Sequence, residues 1–229
     1  NQIDPLAEKY PQFSPYAYCA NNPINFIDPD GKEIQLDGTD EENTIILGLS
    51  QKLTNDKLVL NKDNIIEIAS YNSENIFNIL LDGTKLLRNL IDSKLTVTII
   101  PSTDRSYIKH NSSEEDYNKP KNSTIYINCN KSVAVPIQCI KTGDTGIAET
   151  TPYLVLAHEL IHAYHISNGT FLYDKVPLYD PNAKSIIYNT YSLDERQTIG
   201  IFPYNYGYAP TENKIRLEQG YSFIRHTYR

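Results

Sequence analysis

The stretch from Pro152 to Gly169, PYLVLAHELIHAYHISNG, constrains this chain more than any other. Thr150 or Thr151 suits a helix cap, Pro152 suits the first helical position and Asn168-Gly169 supplies a stop, so the spacing predicts one helix between them. Its apolar residues recur around most of the circumference, and a helix that is apolar all round has to be covered by other elements. The chain must therefore fold in layers around this segment. Yet the same helix carries His158, Glu159, His162 and His165, three of the five histidines of the chain beside a carboxylate. Burying such groups without partners is costly, so something must compensate them.

A metal ion would do so. His158 and His162 stand four positions apart, which on a helix puts both rings on one face, about 6 Å apart along the axis, where two ring nitrogens can share one zinc ion. Glu159 projects at the edge of that face and can take a proton from a water activated by the metal, without being a ligand itself. This is the HExxH pattern on a buried helix. The competing reading is a core helix whose histidines are satisfied by backbone or tyrosine partners. His165 lies about 10 Å from His158 along the axis, too far to share a small ion. Nor does TFLYDK, the stretch following Gly169, hold the further histidine of a metzincin. His165 is thus expected to pack or to support the site.

A catalytic zinc takes three protein ligands and keeps one position open. The third donor is sought in YSLDERQTIGIF, where Ser192 suits a helix cap and Asp194 and Glu195 fall in the first turn. Both carboxylates could serve the helix dipole alone, and either could reach a metal. Near the C-terminus, R-x-x-Y places Arg225 and Tyr228 on one side of a helical turn. A cation or phenol opposite the metal would stabilise the charge that grows on an attacked carbonyl. The plainer reading is a surface arginine and a terminal tyrosine.

The remaining pattern is mixed. Residues 41–57 carry Ile45, Ile46, Leu49 and Leu53 at helical spacing, and residues 73–92 carry Ile76, Ile79, Leu80, Leu87 and Leu90 likewise. LVLNKDNIIEIAS reads as a hairpin turning at NKDN, and KLTVTIIPS and STIYINCN read as strands. The second of these is the candidate sheet edge for an extended substrate. Residues 102–123 are polar and read as an exposed loop. The fold class expected is α+β with a small mixed sheet.

A formal charge of −7 argues against a nucleic-acid binder and against an anionic membrane surface. No stretch has the apolar length of a membrane span, and NQIDPLAEKYPQ lacks the layout of a secretory signal peptide. Without any methionine, the sequence is expected to be a fragment or a processed product. The three cysteines form no CxxC pair, which disfavours a thiolate metal site and leaves a Cys129–Cys139 bridge as an option.

Two resemblances add to this reading. DPLAEKYP, SPYAYCANNP and DPDG, within residues 1–31, resemble the closing segment of the core domain in RHS/YD-repeat polymorphic toxins, beyond which a variable toxin begins. That implies two domains, an irregular RHS-core remnant at 1–31 and a toxin at 32–229. Lys32 stands where many members of that family carry a hydrophobic residue as part of a self-cleavage site. Further on, LAHELIHAYH, DERQTIG and PTENKIRLEQGYSFIRHTY resemble the NleD-like effector zinc metallopeptidases. The matching positions are Glu195, Thr198 and Gly200, then Thr211, Glu212, Asn213, Arg216, Glu218, Gly220, Arg225 and Tyr228. This resemblance implies a zincin-like fold and an endopeptidase acting on proteins inside a target cell. Its metal would be Zn²⁺ on His158, His162 and Glu195, with Glu159 as general base. The arginine and tyrosine are similar to a pair in clostridial neurotoxin proteases, which implies that Arg225 and Tyr228 act in catalysis. Secretion into a target cell by a specialised system, an RHS repeat shell in the parent chain and a cognate immunity protein are implied as well. The rival classes are a non-catalytic interaction module and a zinc amidase of the cell wall.

Overall fold

The computed structural model describes residues 33–72, 81–110, 119–172, 175–180, 185–201 and 207–226, with backbone alone for 175–180 and 185–192. The chain divides at Gly31/Lys32 into two units, and all described residues belong to the second.

Among the described residues, five helices and a mixed sheet place that unit in the α+β class. Its elements run β1 (Ile34–Leu36), α1 (Asp40–Gln51), β2 (Lys57–Leu60), β3 (Ile65–Ser70), α2 (Asp82–Ile91), β4 (Val97–Pro101), β5 (Tyr107–His110) and β6 (Ser123–Ile127). There follow β7 (Val133–Cys139), β8 (Thr145–Thr150), α3 (Pro152–Ser167), β9 (Lys175–Asp180), β10 (Ser185–Ser192), α4 (Leu193–Ile199), α5 (Glu212–Glu218) and β11 (Phe223–Arg225). The six-stranded sheet has the order β2-β3-β1-β4-β6-β5, with β1, β4 and β6 parallel and the others antiparallel. A second sheet, β11-β7-β8, is antiparallel, and β9 pairs with β10.

The parallel strands alternate as a half-covered sheet should. Ile34, Leu36, Val97, Ile99, Ile125 and Ile127 are buried and join the core, while Gln35, Thr98 and Tyr126 point to the other, more exposed face. Helix α3 lies against this core with Leu154, Leu156, Ala157, Leu160, Ile161 and Ala163 inaccessible to solvent. Helices α1, α2, α4 and α5 and strands β5 and β6 surround it, so the apolar segment becomes the central rod of the unit. Thr151 is its N-cap with Pro152 next, and Gly169 takes φ +65 just beyond the C-cap Asn168. Among the described residues no helix is long and apolar enough to cross a membrane.

Several expectations need correction. The first helix ends at Gln51, because the Gln51 amide donates to the carbonyls of Thr54 and Asp56 and accepts from Leu58 N, turning the chain into β2. Ile45 is 45% exposed, whereas Ile46, Leu49 and Leu53 are buried. The hairpin turns at NKDN as expected, where Asn61 Oδ1 accepts from the backbone of Asp63 and Ile65 and Asn64 adopts φ +59. The second helix is described from Asp82, with Leu87 and Leu90 buried; Ile76, Ile79 and Leu80 lie outside the described residues. The polar stretch 102–123 is not all loop, since β5 forms within it. That strand pairs along the outer side of β6, so STIYINCN is an interior strand and YIKH is the edge. Cys129 and Cys139 are free thiols, not a bridge.

Candidate metal and catalytic site

Helix α3 presents His158, Glu159 and His162 to a cleft of about 620 Å³, and α4 brings Glu195 to the same place. His158 and His162, 8% and 3% exposed, aim their Nε2 atoms at each other across 3.1 Å. Glu195 Oε2 is 3.2 Å from His158 Nε2 and Glu195 Oε1 is 3.5 Å from His162 Nε2. Ligands bound tetrahedrally at roughly 2.0–2.1 Å are separated by about 3.3 Å, and these three contacts, which use both oxygens of Glu195, fall close to that spacing. Among the described residues, this trio is the group of histidine, cysteine and carboxylate side chains that could hold a metal, its ligand atoms all lying within 4.8 Å of one another. Moreover, Glu195 Oε2 is buried without a hydrogen-bond partner among the described residues. An acceptor held against ring nitrogens without hydrogen-bond geometry fits a cation better than it fits a network.

The far nitrogen of each ring is also engaged. His158 Nδ1 lies 2.8 Å from Glu212 Oε2, and His162 Nδ1 lies 3.1 Å from Thr198 Oγ1 and 3.7 Å from Asp194 Oδ2. Such outer contacts fix ring orientation and tautomer in metal sites. Between the two α4 carboxylates, Glu195 faces the Nε2 atoms and Asp194 faces the outer side of His162. Glu212, at the first turn of α5, is fully buried and receives Arg225 Nη1 at 2.9 Å and Arg216 Nε at 2.9 Å. Arg216 also donates to Thr150 Oγ1 at 2.7 Å, tying α5 to the start of α3.

The electrostatics follow from this packing. Burial opposes a charge on His158, but the facing carboxylates of Glu195 and Glu212 outweigh it and push its pKa up to about 10. Burial likewise opposes a charge on Glu195 and on Glu212, yet the former is held well below the carboxylate range by His158 and His162. The latter is held there by Arg225, His158 and Arg216. Burial raises Glu159, against the pull of His158 and His162. His165 is absent from this cluster. Its Nδ1 meets Thr170 Oγ1 at 2.9 Å, and burial lowers its pKa to about 4.

At the C-terminus the expected helical turn is replaced by a strand. Arg225 lies in β11, paired with Ile137 of β7, because Asn213 brackets it: Asn213 Nδ2 donates to its carbonyl and its N–H donates to Asn213 Oδ1. Arg225 still reaches the cleft, while Tyr228 lies outside the described residues. Arg216 pairs with Glu212 and not with Glu218. Glu218 instead accepts from the backbone N–H groups of Asp82 and Gly83 and caps α2. Gly200 takes φ +82 against Thr211, the α5 cap, with no room for a Cβ. Sequence reasoning assigned no task to Glu212 or Thr198 at the histidines, and it weighed Asp194 only as a ligand or a capping carboxylate. The available signal was the threonine-capped acidic start of α5, which reads as capping alone.

Compared with known proteins, the chain matches the family model Peptidase_M91, described as effector protein, over residues 75–228. No curated protein matches it.

Proposed function

The chain belongs to the Peptidase_M91 family of effector proteins, and from that premise we propose that it is a zinc-dependent endopeptidase that cuts proteins inside a target cell. The convergence of His158, His162 and Glu195 carries this reading. Zinc would be held by the two Nε2 atoms and the Glu195 carboxylate, leaving room for water and substrate. When bound, zinc supplies a Lewis acid that polarises a carbonyl and makes water acidic enough to ionise near neutral pH.

The protein supplies the rest. Glu159, at the cleft wall, takes the proton of the attacking water and hands it to the leaving amine. Arg225, in the same wall, and Tyr228 stabilise the charge growing on the carbonyl oxygen. The edge strand β5, whose Tyr107 and Ile108 line the cleft, is the element to which an extended peptide adds as a further strand. The helix-and-sheet arrangement is consistent with a zincin-like fold.

On this reading residues 32–229 are the toxin and residues 1–31 are the remnant of an RHS core that joined it to a repeat shell. The parent protein would be exported by a specialised secretion system, and its producer would carry an immunity protein that blocks the cleft. The test is Glu159→Gln. The variant is expected to keep one equivalent of zinc and to lose roughly 10²- to 10⁴-fold in cleavage. New protein N-termini in cells expressing the wild type, missing with the variant, would support a protease. Release from purified peptidoglycan in their place would point to a cell-wall amidase.

A further inference from the structure

Glu212 lines the cleft, and it is fully buried and bonded to His158 and two guanidinium groups. A buried carboxylate normally needs one cation; this one has two, and helix α5 has brought it into the interior at its first turn. We propose that Glu212 is a positioning residue that holds His158 as the Nδ1–H tautomer, and that the C-terminal segment exists in part to keep it there. The inference rests on the zinc reading above.

The chemistry of the contact decides the proton. With Arg216 and Arg225 both donating to it, Glu212 is an ionised, acceptor-only group. The hydrogen in its 2.8 Å bond to His158 therefore sits on Nδ1. In the neutral ring Nε2 is then left as a lone pair, directed at the point where His162 Nε2 and the Glu195 carboxylate converge. Geometry is fixed as well as protonation. Arg216 ties Glu212 to Thr150 at the head of α3, and its guanidinium lies over the Tyr221 and Phe223 rings, 5.8 and 5.9 Å from their centroids. Arg225 ties it to β11, which Asn213 of the same α5 turn holds in place. His158 is thus oriented from residues that lie far along the sequence. Carboxylates in this role contribute to metal affinity by making the ring a better donor and removing its rotational freedom.

The experiment measures zinc affinity by competition with a chromophoric chelator for the wild type and for Glu212→Gln, with circular dichroism to verify folding. Wild type is expected to bind one equivalent, and the variant to bind roughly 10- to 100-fold more weakly. Equal affinity of a folded variant would overturn the role of Glu212 while leaving the zinc site standing. Absence of stoichiometric zinc from wild type would overturn both. If the variant does not fold, the zinc-loaded wild type labelled with ¹⁵N-histidine decides. A slowly exchanging His158 Nδ1–H coupled to Nδ1 supports the assignment, and a proton on Nε2 instead overturns it. A purely structural glutamate would, on Glu212→Gln, lower thermal stability and leave zinc affinity unmoved.

Discussion

His165 offers a measurement that separates it from the histidines beside it. The ring is 3% exposed, its Nδ1 meets Thr170 Oγ1, and its Nε2 has no hydrogen-bond partner among the described residues. Burial, and then the charge of His162, depress its pKa from 6.5 to about 4. The sign is that of a base kept neutral by the fold. Above pH 6.5 neither folded nor unfolded chain is protonated there; between 6.5 and 4 the unfolded chain binds a proton that the fold refuses. Stability is therefore complete above the unfolded value and is lost as pH falls toward the folded one. With about 1.36 kcal/mol for each pH unit, that interval amounts to about 3 kcal/mol.

The substitution that isolates this effect is His165→Leu, which removes the titration and keeps an apolar group of moderate size. Urea unfolding of both proteins, with metal chelated so that its release does not enter, gives the stability difference at each pH. Whatever the packing change costs at neutral pH, it is the same at every pH. The variant should therefore gain on wild type by about 3 kcal/mol between pH 7 and pH 4. Parallel pH curves for the two proteins would refute the assignment of His165 as a neutral packing residue.

Three other substitutions probe how the site is held. Gly200→Ala places a Cβ 2.6 Å from Thr211 Oγ1 at φ +82, so it should cost roughly 1–3 kcal/mol in urea unfolding and weaken zinc binding, because α4 and α5 meet there. Glu218→Ala removes the carboxylate that caps α2 and should cost about 1 kcal/mol while leaving zinc affinity unchanged. Asp56 is held below the ordinary carboxylate range by its hydrogen bond to Arg88, against the effect of burial, with the two groups bidentate at 2.6 and 2.7 Å. Asp56→Asn should thus lose roughly 3 kcal/mol at pH 7. Measured against pH, that deficit should shrink once acid protonates Asp56 in wild type, because stability from a depressed carboxylate is lost as pH falls through its folded value.

The parts of the fold that were legible are those whose signal is local. The turn at NKDN is shaped by the Asn61 side chain and by Asn64 at φ +59, and β4 and β6 alternate buried and half-exposed residues. The sheet β11-β7-β8 was not foreseen, and its burial explains why. In β8 four of six positions are exposed and one is partly so, and β7 buries only Val135 while carrying Pro136. A ribbon held mainly by backbone pairing leaves no periodic trace of apolar residues. Strand β5 has four residues, one of them the exposed Lys109, which is how an edge strand avoids further pairing and also how it passes for loop.

The site divides along the same line. His158, Glu159 and His162 share one helix, so spacing alone predicts their common face, and the structure brings Glu195 to them from α4. The outer contacts join residues that no local pattern relates: Glu212 to His158, Thr198 to His162, Arg216 to Thr150. Arg225 shows the limit most directly. R-x-x-Y suits one helical turn, but extended backbone accepts the same letters, and the choice is made by Asn213, which offers both an acceptor and a donor to the main chain of Arg225. A strand at that point lets the arginine reach Glu212 from the side opposite Arg216, and a carboxylate gripped from two sides cannot swing away from His158. The C-terminal segment is therefore as much a part of the candidate metal site as the helix that carries His158 and His162, and its sequence is constrained by contacts made across the fold.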